Sequence, residues 1–234
     1  MKTLKQMQID LSWKFKRFGT TLRQKLIQEG KTRWLDVGSG DTFQAGFEYL
    51  DWFSSHRLTP ELATQFHQAN ILDLSDSTET LGKFDLVRMQ HVFEHFSFEE
   101  GPQVLKSCGK LLRPDGFLLL TVPDLRIYVK SYLRNRYSQL FRDFARNRLP
   151  ADAPASCYFS VFAHSFGYSP VRSEHNRYRD EHKWCYDYDG IEYQLKRSGG
   201  FKNIRELTLF NPLACIPFTH NRPNEDLCVL SQKA

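Results

Sequence analysis

A short apolar segment that runs directly into two glycines constrains the fold of this chain more than any other feature. Residues 33–37 lead into Gly38-Ser39-Gly40, with Asp36 near the end of the apolar run. Glycine lets a chain turn sharply as it leaves a parallel strand and lets the backbone approach a ligand closely. Open α/β sheets bind ligands at the carboxyl ends of their strands, which is where this loop falls. The segment therefore predicts a first strand followed by a ligand-binding loop.

Short apolar segments alternate with helical patterns along the rest of the chain. The predicted strands after the first lie at 47–52, 70–72, 84–89, 117–122, 201–210 and 226–231. The predicted helices lie at 104–112, 125–148 and 188–198. Such alternation favours a parallel sheet covered by helices on both faces. We predict an α/β fold: a Rossmann-like domain with a seven-stranded, mostly parallel sheet and flanking helices.

Two regions depart from this alternation. Residues 2–30 carry apolar side chains at three- and four-residue steps, which predicts an amphipathic N-terminal helix within residues 1–30. Its basic face is compatible with packing on the domain, with covering a cleft, or with peripheral contact with an anionic membrane. The rest of the chain, 31–234, is predicted as one domain. Residues 125–183 form an insert that shapes the substrate site, because its long irregular part is dense in aromatic and histidine side chains.

Charge and cysteine content exclude several protein classes. The formal net charge of +5 favours an acidic ligand but falls well short of a dedicated nucleic-acid binder. The five cysteines form no C-x-x-C pair, which argues against a zinc knuckle or a dithiol motif. No secretory signal and no stretch of roughly 20 apolar residues are evident. We predict a cytoplasmic protein with reduced thiols, and the sequence leaves its oligomeric state open.

Acidic residues follow the next two predicted strands. Asp51 ends the second strand, where a carboxylate can accept hydrogen bonds from both hydroxyls of a ribose. Asp73 ends the third, where it can accept a hydrogen bond from an adenine amino group while Leu74 packs on the ring. Either aspartate alone is more typical of a helix cap or turn. Their repetition at successive strand ends favours a nucleoside site.

The next motifs give the chain a recognisable order. Residues 84–96 read F-D-L-V-R-M-Q-H-V-F-E-H-F, and residues 111–117 read L-L-R-P-D-G-F. With the glycine loop, Asp51 and Asp73, this pattern over residues 33–124 resembles the class I S-adenosylmethionine-dependent methyltransferases. It most resembles a small bacterial type-11 group often met in sugar and cell-surface biosynthesis. The resemblance implies S-adenosyl-L-methionine as cofactor and, by analogy alone, O-methylation of a small molecule or glycan.

The resemblance also implies which residues bind the cofactor. These are Asp36, Gly38, Ser39, Gly40, Asp51, Trp52, Asp73, Leu74 and Gln90. Many relatives carry a third glycine in the first loop, where this chain has Asp41-Thr42. A dinucleotide needs that arrangement for its pyrophosphate, so the departure argues against an NAD site. The segment before Asp51 is also short, which predicts that the first helix is curtailed or replaced by a loop.

Two histidines after the fourth strand are the candidate catalytic residues. Methyl transfer to a hydroxyl requires alignment of the reactants and removal of a proton, a task suited to histidine near neutral pH. His91 and His95 are placed for it, since they follow the strand at the expected methyl end of the cofactor. The alternatives are that both only shape the pocket, or that another group is the base. The rival bases are His164, His175, His182 and Asp124.

Other functions fit parts of the same sequence. His91-x-x-Glu94-His95 matches a zinc-protease pattern, which needs the motif on a helix, so a metal-dependent enzyme is one alternative. We assign no metal ligand, and a divalent ion at Glu94 and His95 stays open. A non-catalytic scaffold that binds a partner is a second alternative. A nucleic-acid substrate is disfavoured, because the Asn/Asp-Pro-Pro-aromatic motif of base amine methylation is missing after the fourth strand.

Overall fold

Seven strands form one sheet in the part of the chain that the computed structural model describes. The described residues are 26–40, 43–52, 58–74, 81–134, 154, 182–207 and 226–234. The strands are β1 Trp34–Val37, β2 Phe47–Asp51, β3 Phe66–Gln68, β4 Phe84–Gln90, β5 Leu112–Pro123, β6 Phe201–Leu207 and β7 Asp226–Lys233. The helices between them include α1 Pro60–Ala63, α2 Gly101–Leu111, α3 Leu125–Leu133 and α4 Tyr188–Ser198. Single 3₁₀ turns lie at Ile71–Asp73 and Phe93–His95.

The strand order is β3-β2-β1-β4-β5-β7-β6. Strands β1 to β5 pair in parallel with one another, and β7 runs antiparallel to both β5 and β6. The order reverses direction at β1, so the crevice between the ends of β1 and β4 is the topological switch point where such sheets bind ligands. The predicted Rossmann-like, seven-stranded, mostly parallel sheet is therefore confirmed.

Both faces of the sheet are buried, and the side chains of each strand alternate between them. In β1, Leu35 and Val37 pack into the larger apolar cluster with Val87 of β4, while Trp34 packs into the smaller one with Leu86. This period of two is the geometry of an extended chain. It places every second residue of β1 on the face away from the larger cluster, which decides the position of Asp36.

The third strand was predicted in the wrong place. The sequence predicts a strand at 70–72, whereas β3 is Phe66–Gln68 and Ile71–Asp73 form a 3₁₀ turn. The reason is local: the Asn70 side chain accepts a hydrogen bond from the backbone N–H of Leu72 at 3.1 Å and so caps the turn. Asparagine competes with strand pairing in this way because its side chain bonds to nearby backbone.

The R-P-D-G segment after α2 belongs to a strand. Helix α2 ends at Leu111, and the Arg113–Gly116 segment follows with Asp115 in the left-handed region at φ 58°. The backbone nevertheless continues as β5, and its pairing with β4 shifts between the Phe84 and Leu86 partners. The R-P-D-G motif is therefore an irregularity inside a longer strand.

The connection between β1 and β2 holds nine residues, 38–46. Parallel strands usually need a crossover of a dozen or more residues, most often a helix. The described residues of this connection, 38–40 and 43–46, contain only turns and irregular backbone. The predicted curtailment of the first helix is confirmed for them.

The two predictions on domain organisation, the N-terminal helix and the insert, fall mostly outside the described residues. Residues 26–28 are helical, and Leu26 is buried against the cluster around Trp34. Residues 1–25 and most of the predicted insert, 135–153 and 155–181, lie outside the description. The N-terminal helix and the insert stay predictions. Among the described residues, the structure contains no helix with the length and hydropathy of a membrane span.

A buried ion pair joins β1 to β4 on the face of the sheet away from the larger apolar cluster. Arg88 donates from Nε to Asp36 Oδ1 at 2.9 Å and from a second guanidinium nitrogen to Oδ2, so the pair is bidentate. The same guanidinium donates to the Gln44 side chain at 2.8 Å and lies over the Phe47 ring at 4.5 Å. Both charged side chains are nearly inaccessible to solvent. The pair ties the glycine-loop strand to the strand that carries the candidate histidines.

We predict that Arg88→Met destabilises the fold by roughly 3–5 kcal/mol, because it leaves the Asp36 carboxylate buried without its cation. The double variant Asp36→Leu with Arg88→Met should recover most of that loss, since neither charge is then buried. Urea unfolding measures both values. Lys202→Met is the control: it removes the exposed pair with Asp115 at 2.9 Å and should leave the midpoint unchanged. Equal loss in the single and double variants would show that packing, and not charge, is responsible.

Candidate active site

A cavity of about 510 Å³ opens at the carboxyl ends of β1, β2 and β4. This volume lies within the usual range for small-molecule and cofactor sites. The lining includes residues from three strand ends, from the segment after β3 and from the segment before α4. Six predicted site residues are among them: Gly38, Gly40, Asp51, Trp52, His91 and His95.

The first glycine holds the loop against the segment after β4. Gly38 has φ 73°, and its N–H donates to the Leu50 carbonyl at 2.7 Å. A Cβ built on Gly38 would lie 2.5 Å from a methyl group of Val92. Because both the backbone angle and the space exclude a side chain, only glycine fits this position without a shift.

The carboxylate of Asp51 fixes the second half of the loop. It is buried, and it accepts hydrogen bonds from the backbone N–H of Gly40 at 2.9 Å and from that of Trp52 at 2.8 Å. The two oxygens of a carboxylate offer about four acceptor positions, so it can also accept from a ligand's hydroxyls. Asp51 therefore shapes the loop and faces the cavity at once.

The far wall of the cavity comes from the segment after β3. Asn70, Ile71 and Leu72 line it. Asp73 is exposed and accepts a hydrogen bond from the Asn70 side chain at 2.8 Å, and Leu74 is buried in the core. The predicted adenine contacts of Asp73 and Leu74 stay untested, and Leu72 is the leucine that lines the cavity.

Three other predicted cofactor residues do not line the cavity. Asp36 points to the opposite face of β1 and binds Arg88. Ser39 is buried between the two loop glycines, and Gln90 is half-buried at the end of β4. Their contacts with a cofactor stay predictions. The alternation of side chains along a strand already separates Asp36 from the residues on the Val37 face.

His91 is held between two carboxylates. Its backbone lies in the left-handed region at φ 53°, its Nε2 is 3.1 Å from Asp226 Oδ2, and its Nδ1 is 3.3 Å from Glu94 Oε1. Burial disfavours the charged ring, but the contacts with Asp226 and Glu94 outweigh that cost and raise the pKa of His91 to about 10. With a carboxylate beside each ring nitrogen, the imidazolium cannot accept a proton near neutral pH. His91 is a fixed cation that positions two acids.

Glu94, His95 and His182 form a second group beside it, here called the Glu94 cluster. One potential ligand atom from each residue lies within 4.8 Å of the others. The rings of His95 and His182 meet edge to face with centroids 5.1 Å apart. Burial by itself would raise the pKa of the Glu94 carboxyl, but the surrounding histidines, His91 first, hold it below its ordinary value.

The chain segment 182–184 is fastened to the turn that carries Glu94. The N–H groups of Lys183 and Trp184 both donate to the Glu94 carbonyl, at 2.9 and 3.2 Å. Lys183 lines the cavity with Glu100, and its Nζ is 3.5 Å from Glu100 Oε2. Glu100 is not among the predicted site residues, although Ser97-x-x-Glu100 forms a capping box, a signal that can be read from sequence.

The structure also bears on the other candidate bases and on the zinc-protease interpretation. Asp124 caps α3 through the N–H of Arg126 and binds that side chain as well, and it is not among the residues that line the cavity. His164 and His175 lie outside the described residues. The H-x-x-E-H stretch follows β4 directly and contains one 3₁₀ turn, and the helix that the zinc-protease interpretation needs is not formed there.

We predict that Gly38→Ala destabilises the protein by about 2–4 kcal/mol, the sum of an unfavourable φ and the contact with Val92. Gly40→Ala is the matched comparison: its φ is 55°, but a Cβ there meets no atom within 4 Å, so only the backbone cost of about 1–2 kcal/mol applies. Urea unfolding gives both. Adding Val92→Ala to Gly38→Ala should remove the extra destabilisation of Gly38→Ala relative to Gly40→Ala. If the extra loss persists, the proposed contact with Val92 is wrong.

Comparison with known proteins gives the family. A family model described as a methyltransferase domain matches residues 5–204. No curated protein matches the chain. Among solved structures, the chain is similar to the CurJ carbon methyltransferase, with 13% identity and a TM-score of 0.50 over 87% of this chain and 48% of that one.

Two further solved structures have lower scores. A putative O-methyltransferase from Nostoc punctiforme PCC 73102 gives 13% identity and a TM-score of 0.49, covering 91% of this chain and 55% of that one. Human N-acetylserotonin methyltransferase in complex with SAM gives 12% identity and 0.49, covering 87% and 48%. The chain thus spans about half the length of these proteins. At such identities the likeness concerns the fold alone, and the predicted type-11 subgroup stays a prediction.

The family model covers most of the chain, and the strand order and the glycine loop agree with it. The chain therefore belongs to the methyltransferase-domain family.

Proposed function

We propose that this chain binds S-adenosyl-L-methionine in the cavity at the ends of β1, β2 and β4 and transfers the methyl group to an oxygen of a small molecule or glycan. The observation that carries the proposal is the convergence of Gly38, Gly40 and Asp51 on that cavity. A degraded loop would favour a non-catalytic scaffold, but here the loop and its carboxylate are intact.

The residues present suit the parts of this cofactor. Asp51 is placed to accept hydrogen bonds from the ribose hydroxyls in addition to its two backbone donors. Ile71, Leu72 and the half-exposed Trp52 supply apolar surface for the adenine ring. A Cβ at Gly40 would meet open space, which leaves room for the methionine portion beside the loop.

Charged groups border the other end of the cavity. His91 lines it, and the two carboxylates that His91 faces, Glu94 and Asp226, are buried and are not among the lining residues. When bound, the cofactor supplies a methyl group on a sulfonium, an excellent leaving group. The protein has to align the acceptor and to remove its proton.

In this proposal, the acceptor loses its proton at the Glu94 cluster. His91 cannot accept it, since both of its ring nitrogens face carboxylates. His95 lines the cavity and lies next to His182. Lys183 and Glu100 add polar groups to the same part of the lining. Such a wall suits an acceptor with several hydroxyls better than an apolar one, which supports oxygen as the methylated atom.

We predict that replacing the carboxylate of Asp51 weakens cofactor binding. Asp51→Asn keeps the size of the side chain but removes the charge that the ribose hydroxyls would contact. Hydrogen bonds to charged groups contribute roughly 1.5–3 kcal/mol, so the Kd for S-adenosylhomocysteine should rise about 10- to 150-fold. Isothermal titration calorimetry on the purified protein measures it.

The matched control is Glu48→Gln on the same strand. Glu48 binds Arg33 and His67 and does not line the cavity. Its Kd should stay within twofold of the unchanged protein. If the unchanged protein takes up neither S-adenosylmethionine nor S-adenosylhomocysteine, the proposal is wrong.

We also predict that the two histidines behave differently in turnover. With a hydroxylated acceptor found by screening for release of S-adenosylhomocysteine, His95→Gln should lower kcat by at least about 100-fold, because the ring belongs to the cluster at which the acceptor loses its proton. Its affinity for S-adenosylhomocysteine should be unchanged, because His95 belongs to the acceptor end. A raised KM at constant kcat would instead assign His95 to binding.

A further inference from the structure

We propose that Glu94, His95 and His182 bind one divalent transition-metal ion at the acceptor end of the cavity. The site joins a turn after β4 to a segment that follows almost ninety residues later in the chain. Neither the family match nor the comparisons assign a metal to this chain.

The donor atoms are already close to a coordinating arrangement. All three lie within 4.8 Å of one another, and His182 Nε2 is 3.9 Å from Glu94 Oε1. Ligand atoms about 2.1 Å from a tetrahedral ion stand roughly 3.4 Å apart. Binding an ion therefore requires the side chains to rotate towards one another.

The buried carboxylate lacks the direct hydrogen bonds that such a group normally makes. Neither oxygen of Glu94 has a hydrogen-bond partner among the described residues, and only 1% of the residue is exposed. The nearest ring nitrogens stand off at 3.3 Å in His91 and 3.9 Å in His182. Since buried polar groups are almost always satisfied, a ligand between the carboxylate and the rings accounts for this spacing.

An outer layer of contacts holds the three ligands in place. The Glu94 carbonyl accepts from the N–H groups of Lys183 and Trp184, which fixes His182 relative to Glu94. His91 approaches the Glu94 carboxylate and is itself held by Asp226. Partners of this kind orient the ligands of metal sites.

The donor set indicates both the ion and its use. Two imidazoles and one carboxylate suit Zn²⁺, Fe²⁺ and similar ions, and three protein ligands leave positions open. The use rests on the proposed function: an acceptor hydroxyl at an open position loses its proton to solvent more readily. Its oxygen then forms the new bond to the methyl carbon, and the electron pair of the broken S–C bond stays on sulfur.

The test is direct binding of Zn²⁺ to protein treated with a chelator and freed of it. Calorimetry should show one site per chain, and Co²⁺ in its place should give visible absorption typical of nitrogen and oxygen ligands. His95→Gln and His182→Gln should each weaken Zn²⁺ binding at least about 100-fold. His67→Gln, a histidine on β3 bound to Glu48, is the control and should bind as the unchanged protein does.

Asp226→Asn tests the outer layer and should weaken Zn²⁺ binding about 10- to 100-fold without abolishing it. Thermal unfolding of each variant checks folding, and His95→Gln, with its ring at the cavity surface, serves if His182→Gln does not fold. Absence of a single Zn²⁺ site, or equal binding by all the variants, overturns the proposal. S-adenosylhomocysteine titrated into the same samples separates the two proposals: its binding without Zn²⁺ uptake refutes the metal site alone, and the reverse result refutes the cofactor assignment alone.

Discussion

The hydrogen bond from the Gly40 N–H to the Asp51 carboxylate is the interaction on which the cavity depends. The connection between β1 and β2 is too short for the usual crossover helix, so no helix N-terminus organises the loop in the described residues. Asp51 organises the loop instead, because it lies at the end of the neighbouring strand and accepts the hydrogen bond from the loop. The same carboxylate faces the cavity, so the geometry of the loop and the position of the proposed ribose contact cannot vary independently.

The opposite end of the cavity is built from parts that are distant in sequence. His91 and Asp226 are 135 positions apart and meet because β7 inserts antiparallel beside β5, which puts Asp226 next to Pro123. His182 reaches Glu94 through backbone hydrogen bonds of the residues that follow it. The glycine loop and Asp51 thus depend on adjacent strands. The groups around His91 and Glu94 depend on the order of the whole sheet.

This difference explains what the sequence could and could not predict. Gly38 and Asp51 were found because a glycine after a strand and an acid at a strand end are local signals. The pairing of His91 with Asp226 was missed, because no local pattern fixes which strand ends meet. Asp36 shows a third case: the motif suggested a cofactor contact, but the alternation of the strand turns it away from the cavity, towards Arg88. The misplaced third strand has a similar origin, since an asparagine cap outweighed an apolar pair of residues.

The state of His91 carries a consequence for the chemistry. A histidine after the fourth strand is attractive as a base on sequence grounds, yet two carboxylates keep this one protonated. A fixed cation there compensates buried acids and cannot also shuttle a proton. In the proposed O-methylation, another group removes the acceptor's proton, and among the described residues the Glu94 cluster combines a histidine facing the cavity with a carboxylate held in its charged form. A metal ion there would lower the pKa of the acceptor hydroxyl. The protein would then promote loss of the proton through the acceptor and not through a basic side chain.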